Sequence, residues 1–250
     1  MQWYKSLICV LSLFSLATLW LYTLSKQFSK AETPIHFPHS LEDLKSIAKV
    51  VKEHQAEQPF LVIVLFCSAY LYKQTFAIPG SMLMNVLAGA LFGKWFAFPL
   101  VCLLTACGAT SCYTVINLFG KQFLKRRFPD KIGSLKRRVE ANQHRLFYFL
   151  LSARLFPMSP NWFLNMAAPI INIKVAPFFI TIFIGLMPSN FICVSTGEII
   201  SSISSLNDIY STSTIISCIF IAIVAMAPAL LINKVGNNSS SSKLPSTIHS

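Results

Sequence analysis

Charge is scarce in this chain. Only 12% of its 250 residues are Asp, Glu, Lys or Arg, against about 25% in a soluble domain. So few charges cannot coat a globule of this size, which excludes an ordinary soluble enzyme. Acids are rarer still, with 9 Asp and Glu against 21 Lys and Arg. Paired carboxylates are therefore missing, and no Ser-His-Asp set stands out, so hydrolytic chemistry lacks its groups. The five histidines (His36, His39, His54, His144, His249) all lie outside the apolar runs. A zinc or haem site would have no ligands there, and no metal or cofactor is expected. The seven cysteines are odd in number, form no CxxC and lie in apolar runs. That argues against a disulfide framework and for small apolar packing residues. The sequence predicts no enzyme.

What is present is hydrophobic residue, 54% of the chain, with a mean hydropathy of +0.59. Leu7 to Leu24 is an apolar run behind Lys5, long enough for a span. Residues 1–25 read as an N-terminal transmembrane anchor or a signal peptide; bulky Trp20 and Tyr22 at the end of the run favour the anchor. Residues 26–58 read as a linker with a short amphipathic helix. Ser40 caps it, and Leu41, Leu44, Ile47, Ala48 and Val51 share one face. Residues 59–233 form the transmembrane domain. Its expected spans are Pro59–Tyr72, with Tyr70 and Tyr72 at the interface and Lys73 and Gln74 closing it, then Phe96–Phe119, Val175–Thr196 and Ile215–Ile232. Residues 234–250 are Ser/Asn-rich and read as a disordered tail.

The basic excess, formally +12, is local. Lys121, Lys125, Arg126, Arg127, Lys131, Lys136, Arg137, Arg138 and Arg145 crowd a loop that contains only Asp130 and Glu140 as acids. Positive-inside orientation places loop 121–145 and the C-terminus in the cytosol, with anionic lipid headgroups as natural contacts. No recognition motif supports nucleic acid. Asp130 to His144 reads as a helix with Ile132, Leu135 and Val139 on one side.

Two apolar segments are broken. The first runs Pro79-Gly80-Ser81-Met82-Leu83-Met84-Asn85-Val86-Leu87-Ala88-Gly89, the second Ser159-Pro160-Asn161-Trp162-Phe163-Leu164-Asn165-Met166-Ala167-Ala168-Pro169. With Asn85 set over Asn165, Gly80 meets Pro160, Ser81 meets Asn161 and Ala88 meets Ala168. Pro157, Pro160 and Pro169 rule out one straight helix in the second segment. Unpaired backbone in hydrocarbon costs several kcal/mol per group, so such breaks persist only where protein buries them or water reaches them. Two related broken segments fit an inverted repeat of re-entrant hairpins around a shared site; the alternative is two kinked spans matched by chance. With loop 121–145 cytosolic, the first hairpin dips from the lumen and the second from the cytosol. Arg154 follows eight uncharged residues, Leu146 to Ala153. An Arg at mid-bilayer costs about 2.5–3.5 kcal/mol on insertion scales, so it needs an acceptor unless it snorkels to the interface.

The strings Tyr70-Leu71-Tyr72-Lys73-Gln74-Thr75-Phe76-Ala77-Ile78-Pro79-Gly80-Ser81, Gly108-Ala109-Thr110-Ser111-Cys112-Tyr113 and Arg154-Leu155-Phe156-Pro157-Met158-Ser159-Pro160-Asn161-Trp162-Phe163-Leu164-Asn165 resemble the DedA family, also called VTT-domain or SNARE-associated Golgi proteins. The similarity is greatest to the transmembrane protein 41 group and covers roughly residues 60–200. It implies an all-α polytopic membrane protein with two facing re-entrant hairpins. It also implies an endoplasmic-reticulum location and phospholipid scrambling between leaflets. The acidic residue that bacterial relatives carry beside the first motif is absent, since Gly80 and Ser81 follow Pro79; proton coupling is therefore not expected.

The expected function is energy-independent movement of membrane phospholipids. Arg154 would hold the phosphate, and Asn161, Asn165, Asn85 and Ser81 would relay hydrogen bonds. Pro79, Gly80, Pro157, Pro160 and Pro169 would be the breakers. Two alternatives stand beside it: a secondary transporter of a lipid-linked or anionic solute, coupled through Glu198, and a non-transporting scaffold working through the basic loop. Partners beyond lipid would be other membrane proteins or a second copy of the chain.

Overall fold

The structure, a computed structural model, describes residues 2–27, 58–155 and 160–202. The expected amphipathic helix at 40–53, the span at 215–232, the tail and Pro157 lie outside the described residues. Every regular element among the described residues is helical. They are α1 (Gln2–Gln27), α2 (Pro59–Thr75), α3 (Ser81–Phe92), α4 (Lys94–Val115), α5 (Lys121–Arg127), α6 (Pro129–Ala141), α7 (Leu146–Leu155), α8 (Asn161–Ala167), α9 (Val175–Gly185) and α10 (Met187–Ser202). This is an all-α membrane protein. Two helical stretches are long and apolar enough to cross a bilayer, α1 and the stretch from α4 through α5, and α9 with α10 makes a third as a bent pair.

Apolar length and breakers set these elements. Helix α1 presents Ile8, Leu11, Leu16 and Leu19 outward, a surface suited to lipid rather than water. It leans on α2, where the Thr18 and Tyr72 hydroxyls lie 2.9 Å apart and Trp20 Nε1 donates to Ser68 Oγ at 3.3 Å. Helix α2 opens with Pro59 at its first position, where a missing N–H costs nothing. The chain then turns through residues 76–80, with Ala77 at φ 54° and Gly80 at φ 102°.

The long stretch Lys94–Arg127 contains 34 residues, about 51 Å of helix. A π-turn at Ile116–Gly120 joins its two parts. The expected loop therefore begins later than its charges suggested: Lys121 to Arg127 continue the helix, because Lys and Arg are good helix formers and Pro129 is the first breaker. Helix α6 matches its expectation, with Ile132, Leu135 and Val139 buried. The expected span from Val175 to Thr196 is bent by 42° between Gly185 and Met187. Pro188, in the first turn of α10, accommodates the restart.

By contrast α3, α7 and α8 contain only 12, 10 and 7 residues. Each is less than about 20 Å long, too short for a hydrocarbon core of about 30 Å. The two halves of the chain share one packing plan. The first arms α2 and α7 rest on α4 and α9, respectively; the second arms exchange partners, α3 packing mainly on α10 and α8 on α4. Accordingly one core joins Val62, Phe66, Leu87 and Val101 to Val194 of α10. The other joins Phe163, Leu164 and Phe178 to Ala106 and Ala109 of α4. The junctions also correspond. Gly93 (φ 71°) precedes α4, and Asn172 (φ 60°) stands shortly before α9, both in the left-handed region that Gly and Asn tolerate best.

Helices α3 and α10 run in the same direction at very close range. Asn85 bonds Asn190, Gly89 lies on Val194, and Lys94 meets Glu198. A Cβ placed on Gly89 would fall on the Val194 carbonyl, and one on Gly197 would fall on the Val86 carbonyl. Only glycine permits this approach, the packing that small residues give helices in membranes.

Candidate functional site

The second hairpin holds the most unusual charge. Arg154 stands one residue before the end of α7 and is only 5% exposed. The missing side chain of Gly185 makes room for it: a Cβ there would lie 2.8 Å from the Arg154 Cβ. Its Nη1 donates to Asn165 Oδ1 of α8 at 2.8 Å. Its guanidinium carbon lies 5.2 Å from the centroid of the Phe178 ring of α9, a cation–π contact. Its Nε is buried without a hydrogen-bond acceptor among the described residues. Among the described residues no carboxylate pairs with it; the ion pairs present are Lys94–Glu198 and Lys136–Glu140. Arg154 thus does not snorkel. It is a desolvated cation with donors to spare, held by one neutral amide.

Asn85 takes the same place in the first hairpin with different neighbours. The Tyr70 hydroxyl donates to its Oδ1 at 2.7 Å and lies 2.7 Å from Thr105 Oγ1, while Asn85 Nδ2 donates to Asn190 Oδ1 at 3.0 Å. All four residues are buried, and this neutral network joins α2, α3, α4 and α10. Tyr70, expected at a membrane interface, is only 2% exposed. It sits inside because α3 folds back over it.

Ser81 belongs to a third cluster. Its Oγ accepts from Lys73 Nζ at 2.9 Å and donates to Gln74 Oε1 at 3.2 Å. Lys73, expected to close the span in water, is 4% exposed. Asn161 is exposed in the first turn of α8, Pro160 is exposed at its N-cap, and Pro79 and Gly80 are exposed in the turn before α3. Pro169 is fully buried. The structure therefore unites Arg154 with Asn165, keeps Asn85 with Tyr70, Thr105 and Asn190, and gives Ser81 to Lys73.

Glu198 has a local task. Its Oε1 accepts the Lys94 backbone N–H at 3.1 Å, capping α4, and its Oε2 pairs with Lys94 Nζ at 3.0 Å. Among the described residues, no group of three His, Cys, Asp or Glu side chains could hold a metal. A crevice of about 550 Å³ opens between α1, α2 and α4, lined by Leu13, Trp20, Leu71, Tyr72, Thr110 and Thr114 among others. Neither Arg154 nor Lys73 reaches it.

Lys73, Tyr70 and Asn190 are the polar residues that sequence reasoning missed. The available signals were an Asn two residues after Pro188 in an apolar run, and a Lys only six residues before a Pro-Gly break.

Residues 78–199 match the VTT domain, the stretch from the turn before α3 into α10. The chain is 32% identical over 207 residues to the transmembrane protein 41 homolog of Caenorhabditis elegans, covering 82% of this chain and 84% of that protein. It is 32% identical over 234 residues to the Drosophila melanogaster homolog, covering 92% and 73%. To transmembrane protein 41B of Mus musculus it is 28% identical over 229 residues, covering 90% and 79%. No solved structure matches it. With its all-helical architecture and its paired broken segments, this chain belongs to the VTT-domain family, in the transmembrane protein 41 group.

Proposed function

We propose that this membrane protein lets phospholipids exchange between leaflets, without an energy source and without making or breaking covalent bonds. We place it in the endoplasmic reticulum, with the basic segment 121–145 in the cytosol. The observation that carries the reading is Arg154: 5% exposed, with one neutral acceptor and an idle Nε. A buried cation without a counter-ion is costly. A phosphodiester supplies the missing charge and accepts the spare donors in bidentate fashion.

The short helices fit re-entrant hairpins. On this reading α2–α3 and α7–α8 enter the bilayer from opposite faces and leave polar backbone ends where they meet other helices. The phosphate would follow that seam while its acyl chains stay in lipid, avoiding the cost of an unpaired charge in hydrocarbon. Asn165 positions Arg154, Asn161 lies at the exposed mouth of α8, and Ser81 serves the other hairpin. Asn85 fixes the helices around the seam. The exposed Lys and Arg of α5 and α6 face anionic headgroups on the cytosolic side.

Reconstitution tests this. Purified protein in vesicles with a fluorescent phospholipid should make inner-leaflet label accessible to an external quencher without any ion gradient. Arg154→Gln should slow exchange at least tenfold. Wild-type rates in that variant, or exchange only under a proton gradient, would refute the reading.

A further inference from the structure

We propose that Lys73 and Gln74, at the end of α2, and Ser81, at the start of α3, form a second site for the phosphate group of a lipid headgroup, the first hairpin's equivalent of Arg154 and Asn165. The argument begins with charge. Lys73 is 4% exposed and its ammonium makes one described hydrogen bond, to Ser81 Oγ at 2.9 Å. An ammonium has three protons to donate, and among the described residues no carboxylate pairs with this one. A buried lysine normally has an acid beside it.

The second part of the argument is what Lys73 faces. Ser81 opens α3, whose N-cap is Gly80 and whose first turn has no side-chain cap. The backbone N–H groups of Ser81, Met82 and Leu83 point out of the helix start, since Met84 makes the first bond back, to Gly80. That end of a helix is positive and favours an anion. Here it meets a cation instead. An ammonium and a helix N-terminus repel each other, and the segment 76–80 contains no acid. An anion between them turns both repulsive partners into ligands. Ser81 Oγ and the Gln74 amide, 3.2 Å apart, add neutral donors for phosphate oxygens.

The third part is access. The position a Cβ would take on Gly80 is 3.7 Å from Lys73 Cε, and both Gly80 and Pro79 are exposed. The ammonium thus lies beneath a residue with no side chain. The fourth is the repeat. Lys73 and Arg154 are each near the end of a first arm and each donates to a polar side chain of the second. They lie 81 positions apart in the chain, as do Lys94 and Val175, the first residues of α4 and α9.

The choice of a lipid headgroup as the phosphate source rests on the leaflet-exchange reading; the phosphate chemistry does not. Native mass spectrometry of the full chain in detergent, titrated with dihexanoyl phosphatidylglycerol, tests the site. The wild type should bind two molecules saturably, Lys73→Gln and Arg154→Gln one each, and the double variant none. Lys73→Arg should restore the second, which separates a charge role from a folding role, and Ser81→Ala should weaken it severalfold. Dihexanoylglycerol, which lacks phosphate, should show no Lys73-dependent binding. Competition by inorganic phosphate only at large excess supports a headgroup site; competition at equal concentration overturns the lipid assignment. Two bound molecules in Lys73→Gln would overturn the site itself and leave leaflet exchange untouched. Conversely, a wild type that binds two molecules yet exchanges no lipid would sink the exchange reading and leave the site standing.

Discussion

The pair Arg154–Asn165 offers a test in which stability and function part company. Asn165→Leu keeps the size of the side chain but removes the only described acceptor of the guanidinium, 2.8 Å from Nη1. Nε is already without an acceptor, so Arg154 would keep only the Phe178 face, worth about 2 kcal/mol when desolvated. A hydrogen bond to a charged group contributes about 1.5–3 kcal/mol, and an orphaned buried donor adds its desolvation cost; with the ring retained we expect about 3 kcal/mol. Arg154→Met removes the cation and leaves one amide oxygen unmatched, about 1 kcal/mol. The double variant has neither orphan and should be near wild type, within about 1 kcal/mol. At about 2–4 °C per kcal/mol for a chain of this size, Asn165→Leu should lower the unfolding midpoint by about 6–12 °C. Adding Arg154→Met should recover most of that loss.

The assay is thermal unfolding in detergent followed by tryptophan fluorescence, in parallel with lipid exchange in vesicles. Exchange should fall in both single variants and stay low in the stable double variant, because phosphate would then have no cation. A double variant as unstable as Asn165→Leu would refute the pairing argument. A stable double variant that exchanges lipid at the wild-type rate would refute the functional one.

Other substitutions probe the frame and the competing mechanism. Gly89→Ala and Gly197→Ala should each destabilise by about 1–3 kcal/mol or more, read as a lower unfolding midpoint, because the new methyl meets backbone carbonyl rather than a movable side chain. Tyr70→Phe should cost about 1–3 kcal/mol in the same assay by leaving the buried Asn85 oxygen without its donor. Glu198→Gln should change stability by no more than about 1 kcal/mol, since the Glu198 and Lys94 side chains are 33% and 27% exposed and such pairs contribute little. Lipid exchange in that variant should match wild type and ignore an imposed proton gradient; a gradient-dependent rate that Glu198→Gln abolishes would favour the secondary transporter.

Much of the frame was legible because lipid imposes simple rules. Apolar length marked the helices, and the breakers at Pro79-Gly80 and Pro160 marked the starts of α3 and α8. Spacing of three and four residues within 130–144 located the buried face of α6. Charge misled where it was read as an ending. The run Tyr70-Leu71-Tyr72-Lys73-Gln74 has the composition of a span surfacing into water, and nothing local distinguishes it from one. Burial of Tyr70 and Lys73 comes from α3 folding back, a tertiary effect. Lys121 to Arg127 failed for a related reason: charge density reports sidedness, whereas helix continuity depends on propensity and breakers. The bend at Leu186 had a visible cause in Pro188.

The alignment of Asn85 with Asn165 is silent about chemistry. Both are 4% exposed at equivalent points of their hairpins. Yet Asn85 gives its oxygen to Tyr70 and its amide to Asn190, both neutral, whereas Asn165 gives its oxygen to a cation with further donors. In the first hairpin the cation is Lys73, as buried as Arg154 but bonded to Ser81 rather than to the Asn. The two cations thus stand at matching points of the chain but lean on different acceptors. If both cations bind phosphate, their surroundings differ, one against Gly185 of α9 and one beneath the exposed turn before α3. A headgroup would then meet an accessible station and an enclosed one rather than two equal ones. Lys73→Gln should therefore slow headgroup entry more at low lipid content, and Arg154→Gln should lower the maximal exchange rate. Equal effects on both quantities in a titration of labelled lipid would show that the stations do not differ in access.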